Sequence, residues 1–101
     1  MPTAYITAPP DAAPELARLL VDERLAACVN RVPCRSTYRW EGDIETEDEE
    51  ILLAKTTAER YPDLVERVES AHPHDVPCIE RFEEDGVLAA FGTWRAESVE
   101  E

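Results

Sequence analysis

Apolar positions along this chain fall into short runs whose spacing switches between two residues and about 3.6. Tyr5-Ile6-Thr7 is a β-prone run closed by Pro9-Pro10. Asp11 stands where it can cap a helix, and Pro14 falls in the first turn, where a missing N–H costs little. Leu16, Leu19 and Leu20 follow at helical spacing, with Glu15, Arg18, Asp22 and Glu23 on the wet side, which predicts a helix to about Leu25. Ala27 to Val32 reads as a strand, with a bend or bulge expected at Pro33 before it resumes through Thr37-Tyr38-Arg39-Trp40. Glu41-Gly42-Asp43 is a turn signal. The acidic run Glu45 to Glu50 reads as a solvated lead-in. Ile51-Leu52-Leu53-Ala54 reads as a central strand covered on both faces.

Tyr61, Leu64, Val65, Val68 and His72 share one stripe, so a second helix is predicted from about Pro62, ended by Pro73. Thr56 with Glu59 resembles a capping box. Val76 to Phe82 alternates weakly, as an edge strand can, and tolerates Pro77 near its start. Glu84-Asp85-Gly86 turns the chain, and Leu88, Phe91 and Trp94 recur every third residue, which predicts a short final helix despite Gly92. The order is β-α-β-β-α-β with a C-terminal helix. That is an α+β fold of the ferredoxin-like, split β-α-β kind, with an antiparallel sheet and two helices on one face. It forms one domain over residues 1–101. Many unrelated activities sit on this fold, so function has to be argued from particular residues.

Composition narrows the field. A chain of 101 residues can bury roughly 65% of its unfolded surface, so it needs no disulfide or metal to fold. An apolar fraction of 44% is too high for a chain that stays disordered. No stretch approaches the ~20 apolar residues of a membrane span. The first residues lack the basic and apolar regions of a signal peptide, which places the protein in the cytoplasm. Ten basic residues against 23 acidic ones give a net charge of −13. The basic residues are scattered among acids, so neither nucleic acid nor an anionic membrane is expected as a partner. Lys55 is the only lysine; the other nine cations are arginines. An acidic, lysine-poor chain fits a cytoplasm of molar salt, where ions screen self-repulsion, though a GC-rich genome also drifts toward arginine. Cys28, Cys34 and Cys78 are odd in number and form no C-x-x-C pair, so neither a disulfide framework nor a zinc ribbon is expected.

The densest set of metal-ligand types is His72-Pro73-His74-Asp75-Val76-Pro77-Cys78, which holds both histidines. Imidazole and thiolate suit copper and zinc, and Glu80 shares a strand face with Cys78. His72, His74, Cys78 and Glu80 are therefore the candidate ligands. The alternative is that His72 caps its helix, His74 is a loop residue and Cys78 a half-buried strand hydrophobe. Lys55, at the end of an apolar strand, would attract an anionic ligand or pair with a nearby acid. Tyr38, Trp40 and Trp94 have the polar handles of interface aromatics, or else pack in a core. No serine lies in a nucleophile-elbow context, and three scattered glycines cannot build a phosphate loop. An acylphosphatase-type enzyme would need an arginine in its anion loop, and the Thr7 to Asp11 turn has two prolines and none, so no enzyme is expected.

Five stretches together resemble one family. They are Thr7-Ala8-Pro9, Glu23 to Asn30, Tyr38-Arg39-Trp40-Glu41-Gly42, Leu53-Ala54-Lys55-Thr56-Thr57, and His72-Pro73 followed by Val76-Pro77. In this order and spacing they look like the CutA divalent-cation tolerance family. The resemblance implies a tight homotrimer whose long hairpins, here about Ala27 to Thr56, extend sheets across subunits. It implies Tyr38 and Trp40 near inter-subunit contacts, and Lys55 with Trp40 near an inter-subunit cleft. It further implies tolerance to copper-type ions, with no obligatory cofactor and copper or zinc as the ion bound. A second reading is a signalling or scaffold trimer that binds a small anion in those clefts. Where family members commonly have Glu after Val-Pro, this chain has Cys78, which favours Cu(I) or Zn(II) over harder ions. Ile6 and Ala71 stand where some metal-binding members carry Cys and a second His.

The charge balance carries its own prediction. The melting temperature is expected to rise from low salt to molar KCl; a thermal scan in which it stays level or falls would remove the salt-adaptation reading.

Overall fold

The computed structural model describes residues 1–100; the last residue of the predicted 1–101 domain lies outside the described residues. The elements are β1 (Pro2–Ala8), α1 (Ala13–Asp22), β2 (Cys28–Trp40), β3 (Asp43–Lys55), α2 (Tyr61–Ala71), β4 (Ile79–Glu83) and α3 (Ala89–Ser98). They form one antiparallel sheet in the order β2-β3-β1-β4. The predicted order of strands and helices holds throughout.

Alternation along the strands makes the two sheet faces different. Ala4, Ile6, Ala8, Leu52 and Ala54 are fully buried beneath α1 and α2, against Leu16, Leu20, Leu64 and Val68. Small alanines on this face let the helices sit close to the sheet. Burying each large aliphatic side chain here is worth about 2 kcal/mol. Among the described residues no helix covers the opposite face. Ile51 and Leu53 point to it and are only half-buried, so the expectation of cover on both faces holds for one face within this chain.

Three local expectations fail for identifiable reasons. The strand carries no bulge at Pro33; register runs one-to-one from Cys28↔Lys55 through Pro33↔Glu50 to Trp40↔Asp43. β2 is a sheet edge, where a proline need not remove a ladder bond. The acidic run Glu45 to Glu50 is not a lead-in but the middle of β3, paired along its whole length with β2. Helix α1 ends at Asp22, not Leu25, in a Schellman motif. Arg24 takes φ of 58°, its N–H bonds to Val21 O at 3.1 Å, and Leu25 N bonds to Leu20 O at 2.9 Å.

The predicted caps are replaced by other partners. The Pro9 carbonyl accepts the N–H groups of Ala12 and Ala13, so α1 starts with no side-chain cap from Asp11. Thr56 is fully buried and donates to Leu25 O at 2.7 Å, which ties the end of β3 to the turn after α1. Thr57, not Thr56, serves the start of α2 by accepting the Arg60 N–H. The β2–β3 turn has positive φ at both Glu41 (49°) and Gly42 (87°), the signature of a two-residue type I′ hairpin. Each strand of that hairpin has 13 residues, about 44 Å at the usual rise. The molecule's longest dimension is 45 Å, so the hairpin sets its length.

Helix α3 is held differently from the other two. Leu88, Phe91 and Trp94, read as its packing stripe, are exposed at 77%, 37% and 45%. Its buried members are Arg95 and, just after the helix, Val99. The Arg95 guanidinium donates to Pro2 O at 3.2 Å and to Glu84 Oε1 at 3.1 Å, and lies over the Phe91 ring. Thr3 donates to the same Glu84 oxygen. Burial alone would raise the Glu84 carboxyl, but Thr3, the Glu84 backbone N–H and Arg95 outweigh it and hold the group below its usual range. Stability from this pair is thus present above the unfolded carboxyl value near ~4.3 and is lost as pH falls through the lower folded value. Arg95→Ala is expected to cost about 2 kcal/mol in urea unfolding at pH 7. In Glu84→Gln the part of the acid destabilisation due to this pair should vanish; an unchanged pH profile would contradict that assignment.

Candidate functional site

The hairpin register sorts charge by parity. Arg31, Arg35 and Arg39 point to the helix side of the sheet plane, as do Asp48 and Glu50. There Arg31 pairs with Glu50 at 2.7 Å and Arg35 with Asp48 at 3.4 Å. Glu45, Glu47 and Glu49 point to the open face, opposite Tyr38, Ser36 and Cys34. Alternation therefore leaves a row of three carboxylates without the arginines that neutralise the other side.

A second wall faces this row. Pro73 bars the helical conformation to His72, the residue before it. His72 accordingly leaves α2 with φ −75° and ψ 138° and closes its last turn with a bond from its N–H to Val68 O. The residue is 8% exposed. Nε2 lies 2.7 Å from Thr7 O, and Nδ1 accepts the His74 N–H at 3.1 Å. The ring is then the tautomer with hydrogen on Nε2, donating to β1. This contact joins the end of α2 to β1 and sets the following loop over the open face.

Between loop and hairpin lies a cleft of about 750 Å³. Five carboxylates line it: Glu45, Glu47, Glu49, Asp75 and Glu80. Three aromatic rings line it, Tyr5, Tyr38 and Trp40, together with His74 and Cys78. No lysine or arginine does. The field shows in the phenols. Burial and then the Cys78 and Cys34 sulfurs, Glu80 and Glu49 push the Tyr5 hydroxyl up. Burial and then Glu47, Glu49 and Glu45 do the same at Tyr38. The Cys78 thiol is raised too, by burial first and by Glu80 against a hydrogen bond from Thr7.

The candidate residues from the sequence divide into three groups. His74, Cys78 and Glu80 share the cleft, with Cys78 Sγ 3.8 Å from Glu80 Oε1. Tyr38 and Trp40, expected at contacts between copies, line the same cleft, and Trp40 is 47% exposed. His72 stands behind it, with its ring 4.9 Å from that of His74 and both nitrogens engaged. Lys55 lies outside, two residues along β3 from the row that holds Tyr5 and Glu80. Among the described residues no three His, Cys, Asp or Glu side chains converge as a metal group. Sequence reading missed Tyr5, Glu45, Glu47 and Glu49; their signal was the two-residue period through the acidic run.

All three cysteines are free thiols and half-buried. Among the described residues no helix is long and apolar enough to cross a membrane.

The role given to His72 is testable. His72→Ala should cost about 2–3 kcal/mol of stability, since it removes a buried ring and strands the Thr7 carbonyl. His74→Ala, in an exposed position, should change unfolding by less than about 0.5 kcal/mol. Equal effects of the two would overturn that division.

Comparison with known proteins agrees with this architecture. The family model described as CutA1 divalent ion tolerance protein matches residues 3–98. The divalent-cation tolerance protein CutA of Thermus thermophilus is 52% identical over 65 residues, 63% of either chain. That of Archaeoglobus fulgidus is 37% identical over 97 residues, 95% of either chain. Among solved structures, CutA1 from Pyrococcus horikoshii superposes with a TM-score of 0.95 at 34% identity over all of both chains. The PII-like protein CutA from Nostoc, in apo form, gives 0.95 at 30% identity over 99% of this chain and 98% of its own. With a family model over residues 3–98, a relative 37% identical over 95% of either chain and the fold shared throughout, the chain belongs to the CutA1 divalent ion tolerance family.

Proposed function

We propose that this protein binds cations in the acidic cleft and works as a homotrimer in metal-ion tolerance. The observation that carries this reading is the lining: five carboxylates, an imidazole and a thiol, with no lysine or arginine among them. Such a surface attracts cations and repels anions. It favours the cation reading over a small anionic ligand, because Lys55 lies outside the cleft.

His74, Cys78 and Glu80 are the donors that share the cleft, and their mix of sulfur, nitrogen and oxygen suits copper or zinc. His72 orients the loop that carries His74 and leads to Cys78, just before β4 with Glu80. As no three donors converge among the described residues, a tight site needs a further donor from a neighbouring copy. Assembly is supported by the half-buried Ile51 and Leu53 on the uncovered face and by the free outer edges of β2 and β4. Binding, not catalysis, is the activity. Three free thiols accord with a reducing compartment, the cytoplasm.

Equilibrium dialysis with Cu(I) and Cu(II) in molar KCl, where diffuse attraction is screened, tests this. Saturation near one ion per chain is expected, with loss in the double variant His74→Ala, Cys78→Ser. Light scattering should give three times the 11.4 kDa chain mass for both proteins. Weak, unsaturable copper uptake would sink the metal assignment, and a monomer mass the trimer.

A further inference from the structure

Strand register divides the uncovered sheet face into two halves of opposite character. Ile51 and Leu53 of β3, Val32 of β2, Tyr5 of β1 and Phe82 of β4 make the first half. Val32 and Phe82 are 42% and 50% exposed. Asp43, Glu45, Glu47 and Glu49 follow on the same face toward the hairpin turn. Glu80 stands on it beside Tyr5. Against these five carboxylates, Lys55 is the only lysine or arginine that the strands place on this face, among the described residues.

The halves act in opposite directions when a second copy covers the face. Removing the apolar half from water favours contact. The acidic half opposes it. Closed assemblies of identical chains give every copy the same neighbours, so the row meets a surface that itself belongs to a chain of charge −13. Arginines of the same hairpin cannot relieve it, because Arg31 and Arg35 lie on the other side of the sheet, paired with Glu50 and Asp48. Range then decides how salt enters. Glu45, Glu47 and Glu49 repeat at about 7 Å along the extended strand. The Debye length is about 10 Å in 0.1 M salt and about 3 Å in 1 M salt. Repulsion along the row and across a contact is therefore felt at the lower concentration and screened at the higher.

We propose that assembly of this chain is gated by salt: the apolar half of the uncovered face draws copies together, and the Glu45–Glu47–Glu49 row holds them apart until its charge is screened. This rests on the homotrimer reading and adds the condition under which the trimer forms. It requires no ion held at a fixed position and no space left within the contact. The gate acts on the association of folded chains, because the core of Leu52, Ala54 and the two helices over them excludes the row.

Sedimentation of the intact protein over a dilution series, in about 0.1 M and about 1 M KCl, provides the test. The concentration at half-dissociation is expected to fall about tenfold or more between the two salts, with circular dichroism reporting a folded chain in both. The triple variant Glu45→Gln, Glu47→Gln, Glu49→Gln should assemble at the lower salt nearly as well as the parent does at the higher. A second triple variant, Glu15→Gln, Glu66→Gln, Glu69→Gln, removes the same charge from exposed positions of α1 and α2 and should keep most of the salt dependence. Should the hairpin variant fail to fold, Glu47→Gln against Glu66→Gln makes the same comparison with single changes. Equal loss of salt dependence in hairpin and helix variants overturns the proposal, because net charge alone then suffices. A trimer that dissociates at the same concentration in both salts, or in neither, also overturns it and leaves the trimer reading standing. A monomer under every condition removes both.

Discussion

The molecule depends on the unbroken register between β2 and β3. Thirteen consecutive pairs, from Cys28↔Lys55 to Trp40↔Asp43, admit no bulge, although Pro33 sits in their midst. Because side chains alternate strictly, this one choice decides which face receives every residue of the hairpin. A slip of one residue in β3 would carry Leu52 and Ala54 out of the core and bring Glu49 and Glu47 toward the helices. Burial of Leu52 and Ala54 under α1 and α2 thus fixes the place of the acidic row. The core specifies the cleft without touching it.

The same parity rule explains how an acidic chain tolerates so much charge in one hairpin. On the helix side, arginines of β2 stand beside Asp48 and Glu50 and offset their charge. These are exposed pairs worth at most about 1 kcal/mol each, so their effect lies less in stability than in where they leave charge uncompensated. Glu45, Glu47 and Glu49 receive no such partner. Glu49 is only 8% exposed. Burial first, and then the nearby carboxylates, raise the Tyr5 and Tyr38 hydroxyls, since ionising either would add an anion beside existing ones.

Much of the fold was legible in the sequence because local and global preferences agree there. Apolar runs of period two and 3.6 marked six of the elements, and the turn at Glu41-Gly42 bounded the hairpin. The failures lie where a distant partner decides the outcome. Nothing near Leu25 announces that Arg24 adopts a left-handed conformation to end α1. Leu88, Phe91 and Trp94 look like a packing stripe, yet α3 is fixed by a buried arginine that reaches the carbonyl of Pro2. The acidic run was misread because charge was weighed above alternation. Read with period two, it gives Glu45, Glu47 and Glu49 on one face. Residues 72 to 78 gather ligand-type side chains in one segment, but proximity in sequence does not make donors converge.

His72 shows why. In sequence it is the natural first ligand of its cluster; in the fold both its ring nitrogens are already bonded, one to a strand 65 residues away. Withdrawing that ring to coordinate an ion would strand the Thr7 carbonyl and free the loop that forms one wall of the cleft. A buried unsatisfied carbonyl costs about 1–3 kcal/mol, which a ligand in this position would have to exceed before it gained affinity. The arrangement keeps His72 as an anchor, while His74, Cys78, Glu80 and the hairpin row line the cleft. Two long-range constraints therefore build the cleft. Strand register supplies the charged wall, the imidazole bond supplies the facing one, and the chemistry lies in the gap between them.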